Sequence, residues 1–225
     1  MSRRLIQRSV IRLSAIAVGM LIVWMTVEPA WAQRGRGFRR LFGVSRAQLA
    51  SLPDVQKELN MNDTQKTRVD EVNNQLRNDR HELLGTTFES WSTVQPRMDE
   101  LNNQASEKVN AVLEPAQRKR LQEIAVQQNG PRSLQDPEVV AELSLSPDQK
   151  TKLTEVVAEN TKTFEAAFGE SNWDTWRERS GQLADEADQR LLGVLTPEQQ
   201  TKLDSLKGEP FEVDMSQFFR RGRSQ

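Results

Sequence analysis

The chain has 225 residues, no Cys, one His and an almost balanced charge of 31 basic against 32 acidic residues. Without Cys there are no disulfides and no thiolate chemistry, so packing alone must hold the fold. Only 36% of residues are hydrophobic, which suits extended amphipathic helices sharing a thin core better than a thick globule.

The first 32 residues read as an export signal. Arg3, Arg4, Arg8 and Arg12 precede an apolar run from Leu13 to Val27, followed by Ala30-Trp31-Ala32. That is the order of a secretory signal with small-x-small cleavage, here after Ala32. The alternative is an uncleaved membrane anchor, but the run falls short of the ~20 residues that a span needs. Residues 33–50 follow as a basic Gly/Arg/Phe tail with Arg34, Arg36, Arg39, Arg40 and Arg46, and residues 211–225 form a second one with Arg220, Arg221 and Arg223. Between them, Ala47 to Phe219 holds 19 basic and 31 acidic residues. The chain is an acidic body with two short basic ends. The ends read either as solvated termini or as contacts for a polyanion such as anionic lipid, lipopolysaccharide or nucleic acid.

The body is written twice. Glu58 to Val72 ("ELNMNDTQKTRVDEV") and Glu142 to Val156 ("ELSLSPDQKTKLTEV") share seven of fifteen residues at an offset of 84. "VNAVLEPAQRKRL" from Val109 aligns with "LLGVLTPEQQTKL" from Leu191 at an offset of 82, which also relates Trp91 to Trp173. The repeats run over 51–131 and 132–210, and self-similarity at this period marks a duplicated architecture. Apolar residues recur at helical spacing, as in Val69, Val72, Leu76 and Leu83, and no window alternates like a strand. The expected fold is all-α: two duplicated helical hairpins packed as an intramolecular pseudo-dimer, with the whole protein a monomer.

A short phrase recurs at four helix starts: "MNDTQ", "LEPAQ", "LSPDQ" and "LTPEQ". It reads as an apolar residue, a cap, two residues and Gln. Asn62 with Gln65, Ser146 with Gln149 and Thr196 with Gln199 are capping boxes, in which Gln reaches back to the cap's own N–H. Pro147 and Pro197 suit the first helical position. Gln117 follows Glu114, a weaker cap. These residues are read as architecture rather than chemistry.

The phrase, in an exported, Cys-free, helical chain, resembles the Spy/CpxP-like periplasmic proteins, with "LTPEQ" the fullest match. The resemblance covers Ser51 to Gly208 and implies a small all-helical protein forming an antiparallel cradle. It further implies an ATP-independent envelope chaperone or stress-response modulator in the periplasm. Four phrases in one chain imply that both halves of such a dimer are present here. The acidic body departs from the basic cradle of family chaperones.

Candidate sites are few. His81 lies between Arg80 and Glu82 and reads as a partly exposed helix residue, which leaves triad and zinc chemistry without partners. Asp99-Glu100 and Asp185-Glu186-Ala187-Asp188 lack a calcium-loop glycine and read as solvated helix faces. Trp91, Trp173 and Trp176 either plug the hairpin ends or offer a surface to partners or unfolded clients. The functional expectation is therefore a binding protein with no catalytic residues, no cofactor and no metal, whose partners are protein clients or an envelope protein. The second reading is a structural adaptor bridging envelope components through its basic ends. The third is a metal-responsive relative, for which one His and no Cys supply too few ligands.

Overall fold

The computed structural model describes residues 43–86, 90–170 and 173–214. The N-terminal signal assignment, Arg34, Arg36, Arg39, Arg40, Arg220, Arg221 and Arg223 lie outside the described residues. The described residues are 81% helical and form nine α-helices and no strand. In chain order these are α1 Arg46–Ala50, α2 Pro53–Glu58, α3 Asp63–Thr86, α4 Trp91–Val112 and α5 Pro115–Asn129. A 3-10 turn, Gly130–Gln135, leads into α6 Pro137–Glu142, α7 Pro147–Glu170, α8 Trp173–Leu192 and α9 Pro197–Ser205. No described helix is long and apolar enough to cross a membrane.

Each repeat thus contributes a lead-in helix, a long helix, a return helix and a final helix. The long helices α3 and α7 both end before the Trp that starts the return helix. The segment 33–50 carries α1, and three of its residues, Ala47, Leu49 and Ala50, are fully buried. Its cause is a further copy of the phrase. In "VSRAQ" Ser45 caps the helix: its Oγ accepts from Gln48 N at 3.3 Å, and its N–H donates to Gln48 Oε1 at 3.2 Å.

The core divides along the chain. One cluster joins α1 and α2 to Val69, Leu76, Val109, Leu121 and Ile124. A second joins Val126 and Leu134 to Val139, Leu153, Leu191 and Leu203. Helix α5 contributes to both, so it is the member common to the two cores. The leading apolar residues of the four phrases, Met61, Leu113, Leu145 and Leu195, are all buried. Their burial supplies what a hydrophobic staple supplies elsewhere, since the residue after each Gln is polar.

Polar contacts fasten α1 and the first repeat to the second repeat, and the 3-10 turn to α8. Arg46, 6% exposed, reaches Asp136 Oδ2 at 3.0 Å and Glu138 Oε2 at 2.5 Å. Arg132 in the 3-10 turn pairs with Asp188 of α8 at 3.1 Å. The N–H of Trp91 donates to Glu165 Oε1 at 3.1 Å, setting the start of α4 against α7.

Both lead-in helices end the same way. Asn60 and Ser144, equivalent at the offset of 84, have φ of 50° and 53°. The N–H of Met61 reaches Gln56 O and that of Asn60 reaches Lys57 O, both at 3.0 Å. The N–H groups of Leu145 and Ser144 reach Val140 O and Ala141 O in the same pattern. These are Schellman ends, which favour Gly or Asn at the left-handed residue. Ser carries the full steric cost there. Ser144→Gly is expected to raise stability by about 1 kcal/mol, and Asn60→Gly by less. Denaturant midpoints of the two variants check the order.

Candidate functional site

The repeated phrase does more than cap. Gln65 Oε1 accepts from Asn62 N at 3.1 Å, and Gln65 N donates to Asn62 Oδ1 at 2.9 Å, which completes the box. The amide then turns to the other phrase of its repeat. Gln65 Nε2 donates to Gln117 Oε1 at 2.8 Å, and Gln117 Nε2 donates back to Gln65 Oε1 at 3.3 Å. The second proton of each amide goes to a carbonyl at a helix end. Gln65 donates to Val112 O at 3.2 Å and Gln117 to Leu59 O at 2.9 Å. Glu114 N closes the set with a 2.9 Å bond to Gln117 Oε1.

The second repeat builds the same clasp. Gln149 and Gln199 exchange bonds of 2.6 and 3.1 Å, and they donate to Val194 O at 2.9 Å and Leu143 O at 3.3 Å. Ser146 and Thr196 complete their boxes with Gln149 and Gln199. Each Gln amide makes two donations and two acceptances, its full capacity apart from weak lone-pair sharing. Each clasp ties together two helix starts and two helix ends. A capping box predicts the bond to the cap but says nothing about the NH2 group.

The three Trp positions separate. Trp176 is 4% exposed and packs with Ala167, Leu183 and Phe164. Phe168 meets it edge-on, with centroids 5.1 Å apart and rings at 88°, and is itself 58% exposed. Trp91 is half-buried at the start of α4. Trp173 starts α8, and its side chain lies outside the described residues. Phe168 and Leu84, each near the end of a long helix, are the large apolar residues most open to solvent among those described. In the sequence Phe168 follows Leu153, Val156, Val157 and Phe164 at helical spacing, and nothing in that spacing marks it as the outward end.

A cleft of about 730 Å³ runs between α4 and α7. Gln95, Asp99 and Asn102 of α4 face Leu153, Val157 and Thr161 of α7 across it. Thr161 Oγ1 donates to Gln95 Oε1, bridging the cleft. Burial pushes Asp99 up to about 6, against the opposing pull of Arg80. Burial likewise lowers Arg80, and Asp99 opposes that shift. Asp136 is raised by burial, with the Arg46 guanidinium pulling the other way.

Folding couples to the proton on Asp99 through this raised value. The fold binds this proton more tightly than the unfolded chain does, so the contribution of this group to stability is greatest below about pH 4. It falls as pH rises through about 6. A shift of this size equals about 3 kcal/mol at neutral pH, and solvent at the partly open cleft reduces it to about 1–2 kcal/mol. Asp99→Asn is therefore expected to raise the unfolding free energy at pH 7.5 and to leave it unchanged at pH 4. Denaturant titrations at both pH values check this.

His81 is exposed on α3. Asp188 is engaged by Arg132. Among the described residues no group of three His, Cys, Asp or Glu side chains is placed to hold a metal ion.

Comparison of the chain with protein-family models, curated proteins and solved structures finds no match in any of the three.

Proposed function

We propose that the chain is an exported, periplasmic, non-enzymatic binding protein of the Spy/CpxP-like kind, acting as an envelope chaperone or stress-response modulator. It engages apolar segments of client proteins at the ends of its hairpins. The observation that carries this reading is Phe168, 58% exposed while seated on a buried Trp. A large apolar side chain held rigid in solvent gains area by covering a partner, at little cost in ordering. The contact of Trp91 N with Glu165 sets the first hairpin's end one helical turn from Phe168, so both repeats border the surface.

The two glutamine clasps, one per repeat, support reading the repeats as the halves of a family-like dimer within one polypeptide. On this reading the protein is a monomer by light scattering.

The test is suppression of aggregation of a heat-unfolded model enzyme by the wild-type chain and by Phe168→Ser with Leu84→Ser. The double variant is expected to lose at least several-fold in activity while its unfolding free energy falls by only about 1 kcal/mol, the worth of the Phe168–Trp176 contact. Full activity in the double variant would sink the hairpin-end reading. The adaptor reading instead requires binding that depends on the basic ends and weakens with salt.

A further inference from the structure

We propose that the cleft between α4 and α7 binds a single-chain anionic amphiphile, a long-chain carboxylate of the fatty-acid type. The proposal does not rest on the hairpin-end reading, since neither Phe168 nor Leu84 lines the cleft. At about 730 Å³ the cleft lies within the range of about 300–1,000 Å³ that small-molecule sites occupy. A smaller chamber of about 250 Å³ adjoins it, walled by Arg80 of α3, Met98 of α4, Phe164 of α7 and Leu191 of α8. Asp99, Asn102, Arg132, Gln135 and Val157 line both spaces, so the two share a wall.

The charge around this wall runs against that of the body. From Ala47 to Phe219 the chain holds 19 basic and 31 acidic residues. The cations lining the two spaces are Arg46, Arg80, Arg132, Lys150 and Lys162, and the carboxylates are Asp99 and Asp136. Glu138 and Asp188 are engaged by Arg46 and Arg132 at 2.5 and 3.1 Å. Even with these two counted, five cations meet four carboxylates. The surplus is positive, and a cleft with low-dielectric walls concentrates it. A monoanion balances this charge and a cation adds to it. Arg132, 7% exposed, and Asn102 supply donors for the head group at the shared wall. Asn102 Oδ1 accepts from Arg80 Nη2, which leaves the NH2 group of that amide as its donor.

The rest of the cleft suits a chain without polar groups, because its polar side chains are already bonded within the fold. Thr161 Oγ1 donates to Gln95 Oε1, and Asn129 holds both backbone groups of Val44 at 2.8 and 2.9 Å. The hydroxyls of Ser106, Ser133 and Thr154 donate to Asn102 O, Gly130 O and Lys150 O. A peptide backbone entering here finds few partners for its own N–H and C=O groups, which are costly to bury unpaired. A methylene chain has no such need. Leu153 and Val157, one turn apart on α7, with Ala158 and Val140, give it an apolar wall to cover.

Asp99 makes binding depend on pH. The charged groups around it are Arg80 of α3 and Arg132 of the 3-10 turn, with Asp188 of α8 paired to Arg132. Arg46, Asp136, Lys150 and Lys162 line only the larger cleft. Burial pushes Asp99 up to about 6. An anion at the shared wall favours the protonated carboxyl, so it binds more tightly as pH falls through that value.

The experiment is calorimetric titration of the chain from Gln33 onward, which retains every described residue, with dodecanoate below its micelle concentration. One molecule is expected to bind per chain, with a Kd below about 0.1 mM. Dodecyltrimethylammonium, with the same chain and the opposite charge, should bind roughly tenfold more weakly or worse, and so should the shorter octanoate. Dodecanesulfonate stays charged throughout and should bind several-fold more tightly at pH 5.5 than at pH 7.5. Asp99→Asn should bind it equally at both. Ala158→Trp fills the cleft from an exposed position and should lose about tenfold or more with the unfolding midpoint retained. Leu84→Ser with Phe168→Ser should bind as the wild type does. No binding of dodecanoate, equal binding of the cationic chain, full binding by Ala158→Trp, or loss in the hairpin-end variant overturns the site. Binding of dodecanesulfonate that ignores pH overturns the placement of the head group beside Asp99. An apolar peptide ending in Glu that binds where dodecanoate does not overturns the assignment to a lipid chain.

Discussion

Gln65→Ala is expected to lower the unfolding free energy by about 3 kcal/mol, several times the effect of removing an ordinary cap. The residue is 8% exposed, and its side chain makes four hydrogen bonds to three residues at once. Its loss leaves the Asn62 N–H, the Val112 carbonyl and one face of the Gln117 amide without their bonds in a partly dry site. Each such orphan costs about 1–3 kcal/mol where water does not reach it. Thr196→Ala, which removes one cap hydroxyl, is expected to cost about 1 kcal/mol. The two glutamines of a clasp are also coupled. Gln65→Ala with Gln117→Ala should cost less than the sum of the single changes, because the second removal discards a group that the first had already orphaned. Chemical denaturation of the two singles and the double measures the coupling. Additive losses would mean that the glutamines act only as separate caps.

The clasp shows where sequence reasoning reaches and where it stops. The boxes at Asn62, Ser146 and Thr196 were readable because a capping box spans only four residues, and a short-range rule suffices. The pairing of Gln65 with Gln117 and of Gln149 with Gln199 joins residues 52 and 50 apart. Such a pairing is set by how the helices cross, which no local pattern states. The all-α class and the Pro and Gly boundaries were legible for the same local reason. Helix α1 was hidden by a different cause. Its phrase sits inside a run counted for its arginines, and Arg46 was grouped with the solvated basic residues. In the structure Arg46 is buried because Asp136 and Glu138, 90 and 92 residues on, accept its guanidinium. Charge alone does not separate a tail arginine from one that fastens α1 to the second repeat. The exposure of Phe168 was equally hidden. Phe164 and Phe168 follow the same helical spacing, and only the path of α8 decides which is covered.

That path also decides what Trp176 does. Trp176→Ala is expected to cost about 3 kcal/mol, at the lower end for an aromatic truncated in a core. The ring is 4% exposed and fills the space among Ala167, Leu183 and Phe164. The lower end applies because this cluster is small and near the hairpin end, where the structure can partly close the space left behind. The variant should also disturb Phe168, whose edge-on contact with Trp176 at 5.1 Å disappears. Trp176→Phe keeps most of the buried area and should recover about half of the loss. The informative readout is the pair of stability and client suppression. Phe168→Ser changes an outward ring and should reduce suppression at near-constant stability. Trp176→Ala acts beneath it and should reduce both together, with Trp176→Phe restoring both in step. If Trp176→Ala abolished suppression while the unfolding midpoint stayed in place, Trp176 would be a contact residue that opens to partners. The buried ring would then be a closed state of the binding surface rather than its support.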